Sequence, residues 1–297
     1  MHRIELSDVE KRFREWAAVK KTDLCLESGV YGLLGENGAG KTTLMRMICG
    51  VLRPTGGSIQ CDGIEIGQMG RAYRRLLGYL PQDFGYYGEF SARRFLRYMA
   101  ALKAMPKDCA ERRIDEMLEL VDLVPFQKQK LKTFSGGMLR RIGIAQALLN
   151  DPEILILDEP TAGLDPRERV RFRNIISSLG KERTVILSTH IVSDVDYIAD
   201  RIMIMKDGEI TAEGTARELT QAAGKIAWKC VTGEEEAERL GSRFTVSNIR
   251  HLENEVELRI VSDRRPMPDA EALEPVLEDV YLFFTGEKRG GTGDETV

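Results

Sequence analysis

Cysteine is scarce and scattered in this 297-residue chain: Cys25, Cys49, Cys61, Cys109 and Cys230 are an odd number with no CxxC pair. That spacing argues against a disulfide framework and against a zinc site, so the cysteines read as small core or surface residues. An excess of positive charge is missing too. Lys plus Arg total 43 against 47 for Asp plus Glu, a net charge of −4, which lacks the electrostatic footprint of a general nucleic-acid binder. Any bound phosphate must be held locally. No apolar run approaches the roughly 20 residues that span a bilayer, and the opening MHRIELSDVE is too polar for a secretory signal. A soluble, cytoplasmic protein is expected. Internal repeats are absent, and the small and polar residues that end the chain read as a disordered tail over 289–297.

What is present is 42% hydrophobic residues, enough to build cores for about two domains at about 150 residues each. Up to about residue 220 short aliphatic runs alternate with longer amphipathic ones, an α/β pattern. Val30–Leu34, Ile154–Leu157 and Val185–Leu187 are apolar runs that end in Gly, Asp or Ser, as expected of buried parallel strands whose C-terminal ends carry chemistry. Asp62-Gly63 and Asp207-Gly208 supply the positive φ of two tight hairpins. Phe95, Leu96, Met99 and Leu102, then Ile114, Met117, Leu118 and Val121, recur at helical spacing and predict a helical insert, placed at about 88–150. Beyond residue 220 the composition turns acidic, with 16 acidic against 10 basic side chains over 221–297. Its pattern of strand, helix, two strands and a helix around Leu273–Phe284 predicts a small α+β domain over 221–288.

Two motifs carry chemistry. Gly35-Glu36-Asn37-Gly38-Ala39-Gly40-Lys41-Thr42 fits the GxxxxGK[ST] phosphate loop, lying after a strand and before a helix. Its glycines let backbone N–H groups converge on phosphates at a helix N-terminus, Lys41 neutralises charge, and the Thr42 hydroxyl suits Mg²⁺. Ile154-Leu155-Ile156-Leu157-Asp158-Glu159 places two carboxylates at the end of a buried strand. By itself that pattern also fits solvated acids at a strand end. Beside a phosphate loop, Asp158 suits Mg²⁺ and Glu159 suits the orientation of an attacking water.

With these motifs the chain resembles the ATP-binding cassette family. Phe134-Ser135-Gly136-Gly137-Met138 looks like the family signature, which usually ends in Gln, and it stands about twenty residues before Asp158. Gln82 resembles the Q-loop glutamine, Ala162-Gly163-Leu164-Asp165 the D-loop, and His190 the switch histidine that contacts the γ-phosphate. Phe13, 28 residues before Lys41, sits where the family places an aromatic that stacks on adenine, with Trp16 as the nearby competitor. The resemblance covers residues 1 to about 220. It implies a phosphate-loop NTPase cassette with a parallel-sheet core, an antiparallel β edge and a helical insert. It further implies ATP bound by Phe13 and by Gly35, Glu36, Asn37, Gly38, Ala39, Gly40, Lys41, Thr42 and Thr43, with Mg²⁺ at Thr42, Gln82 and Asp158 and hydrolysis by Glu159, His190 and Gln82.

In the family the signature of one cassette faces the nucleotide of another, so Ser135, Gly136, Gly137 and Met138 would act in trans. Dimerisation follows, as a homodimer or as a heterodimer with another cassette. The resemblance also implies a separately encoded transmembrane permease, received near Asp83–Arg94, where Tyr86, Tyr87 and Phe90 cluster, and a peripheral place on the inner face of the cell membrane. The C-terminal appendage resembles those of subunits serving bacterial drug, antibiotic or polysaccharide exporters, which favours export. The alternative is a soluble cassette ATPase acting without a membrane partner. Ribosome-acting members carry two cassettes and chromosome-acting members a long coiled coil, whereas here there is one cassette in which Ser135 follows Lys41 by only 94 positions, with no heptads.

Overall fold

The computed structural model of the chain describes residues 2–286; the tail expected at 289–297 lies outside the described residues. Two compact units divide between Ile210 and Thr211, earlier than the composition shift near residue 220. The helix Ala216–Ala223, capped by Thr215, packs on the C-terminal helix Leu277–Thr285 and so belongs with the second unit.

The first unit carries two sheets. Trp16–Leu26, Ile4–Phe13, Gly56–Cys61 and Ile64–Glu65 form an antiparallel sheet in that order. The second sheet places Leu77–Leu80, Ile154–Asp158, Thr184–Thr189, Gly29–Leu34 and Arg201–Lys206 side by side in parallel, and the edge strand that follows, Glu209–Gly214, is the one within which the division falls. Its three central strands are buried at every position, which is why they read as unbroken aliphatic runs rather than alternating ones. Between the sheets Leu33, Ile156 and Ile186 pack with Leu44, Met45 and Ile48 of the helix Lys41–Ile48. Each such side chain removed from water contributes about 1.5–3 kcal/mol. The helix that follows the phosphate loop is thereby fixed to the strand that precedes it.

The insert is helical as its periodicity predicts, with helices Ala92–Leu102, Lys107–Leu120 and Gly136–Leu148. Phe95, Leu96, Ile114, Met117, Leu118 and Val121 are buried, but Leu102 is exposed. It is the last residue of its helix, and Ala104, with φ of +54°, turns the chain away before the stripe can continue.

In the second unit Thr245–His251, Val256–Val261, Ala227–Thr232 and Glu271–Leu273 form an antiparallel sheet in that order. Ala237 and Leu240 of the helix Glu234–Arg243 close over Cys230, Leu258 and Ile260. The strand Glu271–Leu273 lies where the sequence pattern allowed the start of the last helix. Pro275 removes an N–H and disfavours helical backbone at Glu274, so the helix begins only at Leu277, and residues 271–273 pair with 227–229 instead. Among the described residues no helix is long and apolar enough to cross a membrane.

Candidate active site

The C-terminal ends of the parallel strands and the loops that follow them, together with Trp16 of the antiparallel sheet, border a cavity of about 210 Å³, lined by Trp16, Gln82, Glu159 and the loop residues Glu36, Asn37, Gly38, Gly40, Lys41, Thr42 and Thr43. Two glycines make the loop possible. Gly40 caps the helix with φ of +107°, and a Cβ there would collide with the Ala18 carbonyl oxygen; Gly38, with φ of +88°, faces open space. Left-handed backbone of this kind favours glycine. The helix begun at Lys41 has no acidic residue in its first turn, so its unpaired N–H groups and positive dipole end favour an anion. Gly35 and Ala39 are not among the lining residues; Gly35 contributes its carbonyl to Lys41, and the Ala39 carbonyl accepts from Gly208 N at 2.9 Å.

Lys41 is 5% exposed. Its Nζ donates to the carbonyls of Gly35 (2.6 Å) and Glu36 (3.0 Å) and stands 3.3 Å from Glu159 Oε1. The other carboxylate oxygen, Oε2, is 3.0 Å from His190 Nδ1. A cation and a buried carboxylate of the cavity wall thus form one chain with a half-exposed imidazole that touches the carboxylate but is not itself among the lining residues. Asp158, fully buried, lies behind it: its Oδ1 accepts from Thr42 Oγ1 (3.1 Å) and from Ser188 Oγ (2.7 Å). Its Oδ2 is buried with no hydrogen-bond partner. A buried carboxylate oxygen without a donor costs free energy, and beside a threonine hydroxyl it gives an all-oxygen donor set that suits a hard divalent cation.

Glu159 has φ of +47°, a strained backbone for a residue with a Cβ. Two groups that sequence reasoning missed hold it. Ser188 Oγ accepts from Glu159 N at 2.9 Å, and Arg140 Nη2 donates to the Glu159 carbonyl at 2.9 Å. Ser188 had a signal, since it is a polar residue in an aliphatic strand and the register sets it opposite Asp158. Arg140 had none, because its partners are backbone carbonyls of distant loops.

The remaining candidates lie elsewhere. Phe13 stacks against Trp16 with ring centroids 6.3 Å apart, but Trp16 lines the cavity and Phe13 does not. Ser135 caps the helix Gly136–Leu148 through the Met138 N–H (3.2 Å), and Asp165 caps the helix Pro166–Leu179 through the Glu168 N–H (2.9 Å). Ser135, Gly136, Gly137, Met138 and Asp165 are all absent from the cavity wall.

Comparison with known proteins identifies the family. Residues 19–162 match the family model described as ABC transporter. The chain is 34% identical over 309 residues to the daunorubicin resistance ATP-binding protein DrrA3 of Streptomyces coeruleorubidus, covering 96% of both chains. It is also 34% identical to the Nod factor export ATP-binding protein I of Burkholderia lata, over 96% of this chain and 97% of that one. The dimeric structure of MJ0796, a bacterial ABC transporter cassette, superposes with a TM-score of 0.66 at 27% identity, over 71% of this chain and 98% of the other. The chain belongs to the ABC transporter family, as an ATP-binding subunit.

Proposed function

We propose that this subunit hydrolyses ATP at the cavity beside Lys41 and Glu159 and uses the cycle to drive export through a separate membrane permease. The observation that carries the catalytic part is the continuous contact from Lys41 Nζ through the Glu159 carboxylate to His190 Nδ1. Lys41 and the backbone N–H groups of the loop hold the phosphate chain. Glu159 orients the attacking water and takes its proton, while His190 fixes the carboxylate from its other oxygen; with Glu159 ionised, Nδ1 carries the proton of that hydrogen bond. Thr42 and Asp158 are the residues that would hold Mg²⁺, assisted by Gln82 at the cavity rim; when bound, the ion neutralises charge on the β- and γ-phosphate oxygens.

For adenine, Trp16 is the wall residue and Phe13 is the ring stacked on it. Stacking of a base on an aromatic ring is worth about 1–3 kcal/mol. Trp16→Ala is therefore expected to weaken ATP binding about tenfold in a fluorescent-nucleotide titration, with a smaller loss for Phe13→Ala. The reverse order would make Phe13 the stacking residue.

Support for a permease comes from the family and from the surface. Tyr87 packs edge-on against Tyr98 and stacks on Phe90, and both tyrosines are exposed, which gives aromatic anchors of the kind enriched in protein interfaces. Export is supported by relatives named for resistance and export that match over nearly the whole length, C-terminal unit included.

The test addresses the dimer. Ser135, at a helix N-terminus outside the cavity, is assigned to the nucleotide of a second cassette. In a Glu159→Gln background, Ser135→Arg is expected to leave monomer ATP affinity within about twofold while abolishing ATP-driven dimerisation, since a bulky cation there opposes the helix dipole that attracts phosphate. Titration calorimetry and light scattering separate the two readouts. A dimer that persists, or a large loss of monomer affinity, would falsify the shared site.

A further inference from the structure

The helix Gly136–Leu148 does more than present Ser135. From its second turn Arg140 reaches back to two other segments at once: Nη1 donates to the carbonyl of Gln82 at 3.0 Å, and Nη2 to the carbonyl of Glu159 at 2.9 Å. Both acceptors are backbone atoms, and they sit 58 and 19 residues away in sequence. A planar guanidinium can bridge two divergent carbonyls from one head group, whereas the compact ammonium of lysine cannot span both. Burial pulls the Arg140 pKa down from its ordinary value, and the Asp158, Glu159 and Asp83 carboxylates offset part of that shift.

The acceptor at Glu159 is a strained one. With φ of +47° this residue persists only where its surroundings over-determine it. Ser188 holds its N–H and Arg140 its carbonyl, so the two peptide units that aim the carboxylate are fixed from opposite sides. We propose that Arg140 is a positioning residue for hydrolysis: it locks the Glu159 backbone, and with it the carboxylate, to the helix that carries Ser135 and to the loop that carries Gln82. A shift of either segment then reaches the reacting geometry directly. Misplacement by about 1 Å can cost about 10²-fold in rate without weakening ground-state binding. The inference rests on the assignment of Glu159 as the group that activates water.

Arg140→Met keeps the aliphatic stem and removes both donors. It is expected to lower kcat at least about tenfold while the ATP dissociation constant stays close to wild type, because the donors act on the alignment of the reacting groups and not on the nucleotide; the melting midpoint falls as well, since two carbonyls lose their donor. In single-turnover measurements, Arg140→Met added to Glu159→Gln is expected to cause no further loss, since the carboxylate it positions is already disabled. Arg140→Lys keeps the charge and one donor and is expected to restore part of the rate; if the methionine variant fails to fold, the lysine variant carries the same comparisons. A wild-type kcat, a rise in the ATP dissociation constant that matches the rate loss, or losses that multiply in the double variant would each overturn the proposal. A fully active Glu159→Gln enzyme would instead remove the assignment beneath it, so the two failures are distinguishable.

Discussion

Glu159→Gln is expected to bind ATP as tightly as the wild type and to hydrolyse it about 10²–10⁴-fold more slowly. The amide keeps the shape of the side chain and can hydrogen-bond a water molecule, but it cannot accept a proton. Little else changes, because the strained backbone at φ of +47° is held through main-chain atoms by Ser188 and Arg140. The Lys41 contact weakens from an ion pair to a neutral one, yet Lys41 retains the Gly35 and Glu36 carbonyls. Phosphate release under single-turnover conditions, alongside calorimetric binding, checks both halves. Turnover at the wild-type rate would move the proton acceptor to another group.

Lys41→Ala is expected to cost most of the ATP affinity. Charge-assisted hydrogen bonds are worth about 1.5–3 kcal/mol, so the loss at the phosphates is about tenfold to a hundredfold or more. The structure adds a second consequence. Lys41 is nearly fully buried and is the cation facing Glu159 Oε1, which has no hydrogen bond of its own. Removing one partner of a buried pair leaves an uncompensated charge, so the melting temperature of the variant should fall as well. Lys41→Met, which keeps the stem, separates lost packing from lost charge. Nucleotide binding that survives either substitution would end the assignment of the phosphate loop.

Several features of this chain follow from local sequence. The unbroken runs at Val30–Leu34 and Ile154–Leu157 make parallel strands because covering both faces of a sheet leaves no polar side. Glycines at 38 and 40 are required where φ is positive, and Lys41 and Thr42 follow them onto a helix. Spacing alone therefore locates the loop, and the two acids at a strand end lie beside it because parallel strands present the same end. The Asp-Gly turns and the stripe from Phe95 to Val121 are legible for the same reason: each depends on neighbours within a few turns.

Long-range placement decided the rest. Whether Phe13 or Trp16 lines the cavity depends on how the antiparallel sheet approaches the loop, and the two residues are equivalent as local patterns. The exposure of Leu102 follows from the turn after it rather than from the stripe that contains it. Pro275 keeps the end helix from starting before Leu277, but that 271–273 then form a strand depends on a free edge at 227–229 that periodicity does not encode. Above all, the hold on Glu159 is made by backbone carbonyls and N–H groups meeting Ser188 and Arg140. Every residue carries a carbonyl and every residue but proline an N–H, so the sequence cannot mark the ones that are used. Only the fold, by bringing segments 19, 29 and 58 residues apart into hydrogen-bond range, selects them.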